Sequence, residues 1–261
     1  MLKADERIDQ LFRLDIQIIQ SPAVFSYSMD AVLLSDFAQL PKRGLIVDLC
    51  AGNGAVGLFM SPKTNGQIVG VELQPRLADM AQRSIELNDL TEQLRVLNMD
   101  LKDVTTVIKK DSVDIVTCNP PYFKVAPNSQ KNPNEHLALA RHEIATDLRT
   151  VVQTMSGLLK MNGKGYLVHR PERFLEICDE LRAARMEPKR VRFVYPKAGK
   201  EASMVLIEAV KDGKKGGLRM LPELTIYDKN SDYTPEMRTK LFMAEDDWES
   251  LLFLRISLCG S

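Results

Sequence analysis

The chain has 261 residues, 44% hydrophobic and 27% charged, enough apolar content for one large packed domain or two small ones and too much for intrinsic disorder as the main state. Its 35 basic and 35 acidic residues cancel to a formal charge of zero, so the total carries no electrostatic signature of a nucleic acid or a membrane partner. The segments are less even: 12 basic against 16 acidic residues over 1–118, 19 against 11 over 119–220 and 4 against 8 over 221–261. A basic middle between acidic ends suggests one face built for an anionic partner, the alternative being an uneven scatter of solvated cations.

Cys50, Cys118, Cys178 and Cys259 form no C-x-x-C pair, which argues against a disulfide framework or a cysteine zinc site and favours a reducing, cytoplasmic setting. The opening MLKADERIDQLFR alternates charged and apolar residues, unlike a signal peptide, and no stretch approaches the ~18 apolar residues of a membrane span. His136, His142 and His169 lack the spacing of metal ligands; surface or loop positions are expected for them, and no metal.

From Gly44 onward, short β-branched runs alternate with helix-length amphipathic segments, the pattern of βαβ units around a parallel sheet with helices on both faces. The expected strands are 45–50, 67–73, 94–100, 113–119, 164–170, 190–196 and 203–210. The last two lack an intervening helix and should pair as an antiparallel hairpin across KAGKEA. Between the second and third, PRLADMAQRSIELNDL places Leu77, Met80, Ala81, Ser84, Ile85 and Asn88 at helical spacing behind a proline suited to the first turn. Residues 124–145 open with a Pro/Asn/Ser/Lys-rich loop on the side where open α/β sheets bind ligands. From Lys211 the tail shows no clear element before a short amphipathic helix near PEMRTKLFMAEDDWESLLF.

After the first expected strand comes Asp48-Leu-Cys50-Ala-Gly52-Asn-Gly54-Ala-Val-Gly57. Its glycines permit a sharp turn and close backbone approach to a ligand, and the following helix offers free N–H groups. Glu72 ends the second strand, 20 residues after Gly52, placed for its carboxylate to accept both hydroxyls of a ribose. The segment fits the dinucleotide fingerprint and equally the D-x-x-x-G-x-G loop of S-adenosylmethionine methyltransferases; the glycines alone do not choose, and a tight turn without ligand is the remaining alternative.

The choice comes from Asn119-Pro120-Pro121-Tyr122 at the end of the fourth strand. An amino group conjugated to a ring or carbonyl is a poor nucleophile because its lone pair is delocalised. Accepting its two protons at the Asn119 side-chain oxygen and the Pro120 carbonyl favours the pyramidal nitrogen that methylation requires. Two prolines hold those acceptors rigidly, and Tyr122 with Phe123 offers a face for a flat base. No general base is needed, because the methylated amine sheds its proton to solvent.

These residues resemble the class I S-adenosylmethionine-dependent methyltransferases, whose Rossmann-like fold has a seven-stranded, mostly parallel sheet with a final antiparallel hairpin. Within that class the chain is similar to the bacterial tRNA(Val) adenine-N6 methyltransferase family, which modifies the adenosine just 3′ of the anticodon. Residues 7–38, DLCAGNGAVGL (48–58), NPPYF (119–123) and ARHE (140–143) carry the likeness. The resemblance implies S-adenosyl-L-methionine as cofactor, lined by Asp48, Cys50, Gly52 and Gly54. Glu72 would hold its ribose and Asp100 its adenine amino group, and the stretch from Tyr27 to Asp30 would cover the methionine end. Asn119, Pro120 and Tyr122 would be catalytic, with Pro121, Phe123, Lys124, Arg141 and His142 against a tRNA substrate. It also implies an N-terminal helical cap over 1–43 and a methyltransferase domain over 44–235; residues 236–261 match nothing expected of the family and are read as an extension of unknown role. Cys50 departs from the family, standing where the loop's first glycine usually lies. The rival functions are a protein-glutamine or DNA-adenine N-methyltransferase, a NAD-dependent oxidoreductase and an inactive RNA-binding module; the sequence is silent on oligomeric state.

Overall fold

The computed structural model describes residues 2–11, 16–24, 28–120 and 146–241. In chain order the strands are β1 (Arg7–Gln10), β2 (Gln17–Gln20), β3 (Leu45–Leu49), β4 (Gln67–Glu72), β5 (Leu94–Asn98), β6 (Val113–Cys118), β7 (Leu159–His169), β8 (Met186–Lys197), β9 (Met204–Lys211), β10 (Arg219–Met220) and β11 (Leu224–Tyr227). The helices are α1 (Met29–Phe37), α2 (Ala55–Met60), α3 (Pro75–Leu87), α4 (Leu148–Leu158), α5 (Phe174–Ala183) and α6 (Pro235–Lys240). None of the described helices is long and apolar enough to cross a membrane.

All seven expected strands form, in a nine-stranded sheet ordered β10-β8-β9-β7-β6-β3-β4-β5 with β11 also on β8. β3 to β7 run parallel, and β9 lies antiparallel between β7 and β8. The two added strands, β10 and β11, pair in parallel with the outer side of β8. They extend the sheet where the sequence showed no clear element: β10 has two residues and β11 four, too few for periodicity to register. Within 1–43, the described residues form an antiparallel β1–β2 hairpin followed by α1, so helix accounts for only part of that segment.

Strand alternation divides the apolar residues between two layers. Ile46, Ile68, Ile115 and Val168 face a cluster with Val32, Leu33 and Leu34 of α1 and Leu58 and Phe59 of α2. Val47, Val69, Val116 and Leu167 face the other way, against Val151, Val152 and Met155 of α4 and Ile177 and Leu181 of α5. Met237 and Leu241 lie in the first cluster, so the packed unit reaches at least residue 241. The expected helix after β4 is α3, with Pro75 in its first turn and Leu77, Met80, Ala81, Ser84 and Ile85 buried; its Leu77 and Met80 join Ile19 and Val24 beside the hairpin.

Candidate active site

β3 connects to β4 on one side, while β7 lies on the other side of β6. The crevice where these connections diverge, outside the carboxyl ends of β3 and β6, is where doubly wound sheets bind ligands. Leu49 pairs with Cys118 across the β3–β6 ladder, Leu49 with Val71 across β3–β4, and Glu72 with Asn98 across β4–β5. The segments carrying Cys50 to Gly54, Glu72, Asp100 and Asn119 therefore leave one edge of the sheet side by side.

The loop after β3 is bent by backbone in the left-handed region at Cys50 (φ 56°), Gly52 (φ 57°) and Gly54 (φ 85°). Gly54 is required twice over, by its φ and because a Cβ there would stand 3.0 Å from the Ala81 Cβ of α3. Cys50 carries a side chain in a conformation that suits glycine, at a cost of about 1–2 kcal/mol. A glycine at this position would carry no such cost.

Glu72 is buried, and its carboxylate is committed to backbone: the Gly52 amide donates to Oε2 and the Gln74 amide to Oε1, each at 2.8 Å. Burial raises its pKa, opposed by those amides. Asp48 lies beneath the loop, 1% exposed, with Oδ1 accepting from the Thr117 hydroxyl at 2.6 Å. Its Oδ2 has no hydrogen-bond partner. Burial pushes the Asp48 pKa up to about 7; the Thr117 bond opposes this and nearby Glu72 adds to it. Thr117 is a site residue the sequence reading missed, since a β-branched residue in a strand reads as structural. So is Asn53, completely buried between the two glycines, whose Nδ2 donates to the Ile19 carbonyl of β2 at 3.2 Å.

Asp100 caps the 3-10 turn Leu101–Thr106, accepting from the Lys102 amide at 2.9 Å. Asp30 stands half-buried in the first turn of α1. Asn119, half-buried, and Pro120, buried, follow directly on β6. Tyr27, Pro121, Tyr122, Phe123, Lys124, Arg141 and His142 lie outside the described residues, as do His136 and the loop from residue 124.

Two expectations need correction. His169 is neither on the surface nor in a loop: it ends β7, 1% exposed, with Nδ1 accepting from the Arg170 amide at 2.8 Å. Burial, reinforced by Arg173, lowers its pKa to about 4, so the ring is neutral at ordinary pH. The basic middle segment is also divided, in its described part, between the Asn119 edge and the opposite one. The β8–β9 hairpin turns through residues 198–203 on the Asn119 side of the sheet, placing Lys197 and Lys200 there, while its open end at Met186 and Lys211 lies on the opposite edge, where Arg182, Arg185 and Lys215 line a cleft of about 550 Å³ with Glu187 and Asp212. Arg185 pairs with Asp212 at 2.7 Å, Arg182 with Glu187 at 3.6 Å, and Lys211 with Asp111, so much of the excess charge meets carboxylates of the chain itself.

The site fits the cofactor implied by its loop: an unpartnered carboxylate oxygen lies beneath it, the loop turns through the left-handed region at Gly52 and Gly54, and a second carboxylate ends the neighbouring strand. The family model described as the methyltransferase small domain matches residues 15–167. The chain belongs to that family. Its cofactor is S-adenosylmethionine, which sets aside the dinucleotide reading of the glycine loop. Among relatives, a Shewanella sediminis protein is 29% identical over 54% of this chain and 58% of its own length. One from Shewanella sp. MR-4 is 24% identical over 80% of this chain and 87% of its own. Both are named tRNA1(Val) (adenine(37)-N6)-methyltransferase. A predicted O-methyltransferase from Agrobacterium tumefaciens shares the fold at TM-score 0.66 and 23% identity, covering 82% of this chain and 96% of its own. Geranyl diphosphate C-methyltransferase from Streptomyces coelicolor, solved with S-adenosyl-L-homocysteine, does so at TM-score 0.54 and 16% identity, over 70% of this chain and 75% of its own.

Proposed function

We propose that this methyltransferase modifies the N6 amino group of an adenosine in the anticodon loop of a tRNA, in the cytoplasm. The observation that carries the reading is the position of Asn119, one residue beyond the Leu49–Cys118 pair and beside the glycine loop. It is supported by the names of the Shewanella relatives, which specify tRNA and adenine N6.

S-adenosylmethionine supplies an electrophilic methyl group on a sulfonium sulfur. The protein's part is to hold the nucleophile: the Asn119 side-chain oxygen and the Pro120 carbonyl each accept one proton of the adenine amino group, drawing its lone pair out of conjugation. Pro121 stiffens the acceptors, and Tyr122 and Phe123 stack on the base. Lys124, Arg141 and His142 meet the surrounding RNA. On the cofactor side Asp48, Cys50, Gly52 and Gly54 form the cradle, Glu72 offers the ribose the lone pairs left over from its bonds to the Gly52 and Gln74 amides, Asp100 faces the adenine and Tyr27 to Asp30 the methionine end. A loop base is already partly unstacked, so bringing it to Asn119 costs less than flipping a base from a duplex.

Asn119→Ala removes one acceptor and should lower kcat on tRNA by about 10²–10³, with S-adenosylhomocysteine affinity changed less than about twofold. Methylation at the wild-type rate sinks the mechanism. Labelled-cofactor assays on tRNA, DNA and protein fractions separate this substrate from the DNA-adenine and protein-glutamine alternatives. Loss of N6-methyladenosine from tRNA in cells lacking the protein would identify the product.

A further inference from the structure

Three consecutive residues of the glycine loop are tied to three different elements. The Gly52 amide is held by Glu72 of β4 at 2.8 Å, Asn53 donates to Ile19 of β2 at 3.2 Å, and Gly54 packs against Ala81 of α3, with 3.0 Å left for a Cβ. The first and third belong to the sheet and its crossover helix. The second reaches outside them, to the N-terminal hairpin.

That hairpin is independently fixed on α3. The Ile19 amide donates to Ser84 Oγ at 2.9 Å, Asn88 exchanges hydrogen bonds with the Gln17 amide and carbonyl at 2.7 Å each, and Arg83 donates to both Glu6 oxygens at 2.8 Å. Ile19 thus has its amide on α3 and its carbonyl on the cofactor loop. The Asn53 side chain is fully buried and its Oδ1 has no hydrogen-bond partner. An apolar or smaller residue would avoid that cost, of order 1–3 kcal/mol for an unsatisfied buried polar atom, unless the bond to Ile19 matters.

We infer that Asn53 is a positioning residue that makes the β1–β2 hairpin part of the cofactor cradle, so that loop conformation and hairpin order form one coupled equilibrium. Whatever fixes the loop must steady the hairpin, and loosening the hairpin must weaken what binds the loop, by the same factor. The inference rests on the glycine loop being the S-adenosylmethionine site.

Hydrogen exchange followed by mass spectrometry, with and without S-adenosylhomocysteine, tests it. In the wild type the ligand should slow exchange at residues 16–20 about tenfold as well as at β4. In Asn53→Leu the effect on β4 should persist at saturating ligand while that on 16–20 disappears. The KM for S-adenosylmethionine should rise about tenfold with kcat within twofold, a split that simple loss of stability would not give. Asn53→Ser, a gentler change, should fall between the two, and Ser84→Ala should quicken hairpin exchange without the ligand while retaining the response to it. Undiminished protection of 16–20 in Asn53→Leu, or none in the wild type while β4 responds, overturns the coupling. If β4 does not respond either, the cofactor assignment of the loop has failed instead.

Discussion

Asp48 is held between opposing influences: burial raises its pKa, one hydroxyl from Thr117 lowers it, and the charge of Glu72 raises it again. The folded chain keeps a proton on Asp48 up to about pH 7, whereas the unfolded chain releases it near 3.8. Between those values Asp48 binds more proton in the folded state, so its contribution to stability falls as pH rises from about 4 to 7, while His169, lowered to about 4, contributes the opposite slope up to its ordinary 6.5. The Asp48 ceiling is about 4 kcal/mol, from roughly 1.4 kcal/mol per pH unit. In urea titrations at pH 5, 6, 7 and 8 the wild type should lose stability relative to Asp48→Asn, which cannot ionise, as pH rises, the His169 slope being common to both. Cys50 poses a backbone question instead. At φ 56° a glycine would relieve the strain and give part of that gain back as unfolded-chain entropy, so Cys50→Gly should raise stability by about 0.5–1 kcal/mol. A loss in the same titration would mean that the Cys50 side chain contributes more by packing than its backbone costs. Asp48, Cys50 and both glycines stand out in the sequence because their chemistry is local. Thr117 and Asn53 do not, because their partners are 69 and 34 residues away.

At the scale of elements, the C-terminal part of the chain acts as a clasp on the outer edge of the sheet. β11 pairs with β8, placing Leu224 and Ile226 at 1% and 5% exposure, and α6 with the residue after it adds Met237 and Leu241 at 0%. The Thr234 hydroxyl caps α6 by accepting from the Met237 amide, and the Lys240 ammonium meets Asp36 of α1 at 2.8 Å. Burying four such side chains stabilises by roughly 6–12 kcal/mol, comparable to the whole stability of a typical domain. A chain ending at Gly217 should therefore fail to fold, giving insoluble or molten material by near-UV circular dichroism, whereas Ile226→Ala in the full chain should cost only about 2–4 kcal/mol and stay folded. A well-folded, cooperative truncation would show that the clasp is dispensable. The sequence concealed it because strands this short carry almost no periodic signal, and pairing with β8 rather than local propensity defines them.

For the whole molecule, the neutral charge and its basic middle segment take on a different meaning. Linear counting treats 119–220 as one block, but an antiparallel β8–β9 hairpin sends half of each strand to the edge away from Asn119. Arg190 and Lys164 both meet the buried Glu208, at 2.7 and 3.6 Å, and Arg149 and Arg173 pair with Glu180 and Glu176. Among the described residues, cations of this segment are used largely to hold helices and strands together. Charge steering by the whole molecule is therefore a weaker guide to the partner here than the four residues that begin at Asn119.

The sequence by itself determined the α/β class, the seven strands, the glycine loop with Glu72 opposite, and the N-P-P-Y tetrapeptide, because each is written in neighbouring residues: alternation, turn chemistry and short motif spacing. Tertiary structure alone decided which of these stand together. Parallel pairing of β3 with β6 brought Cys50 beside Asn119, burial made Asp48 and His169 into groups with shifted protons, and the hairpin on α3 gave Asn53 a partner. Those outcomes depend on long-range ladders and on exclusion of water, and neither is encoded at any one position of the chain.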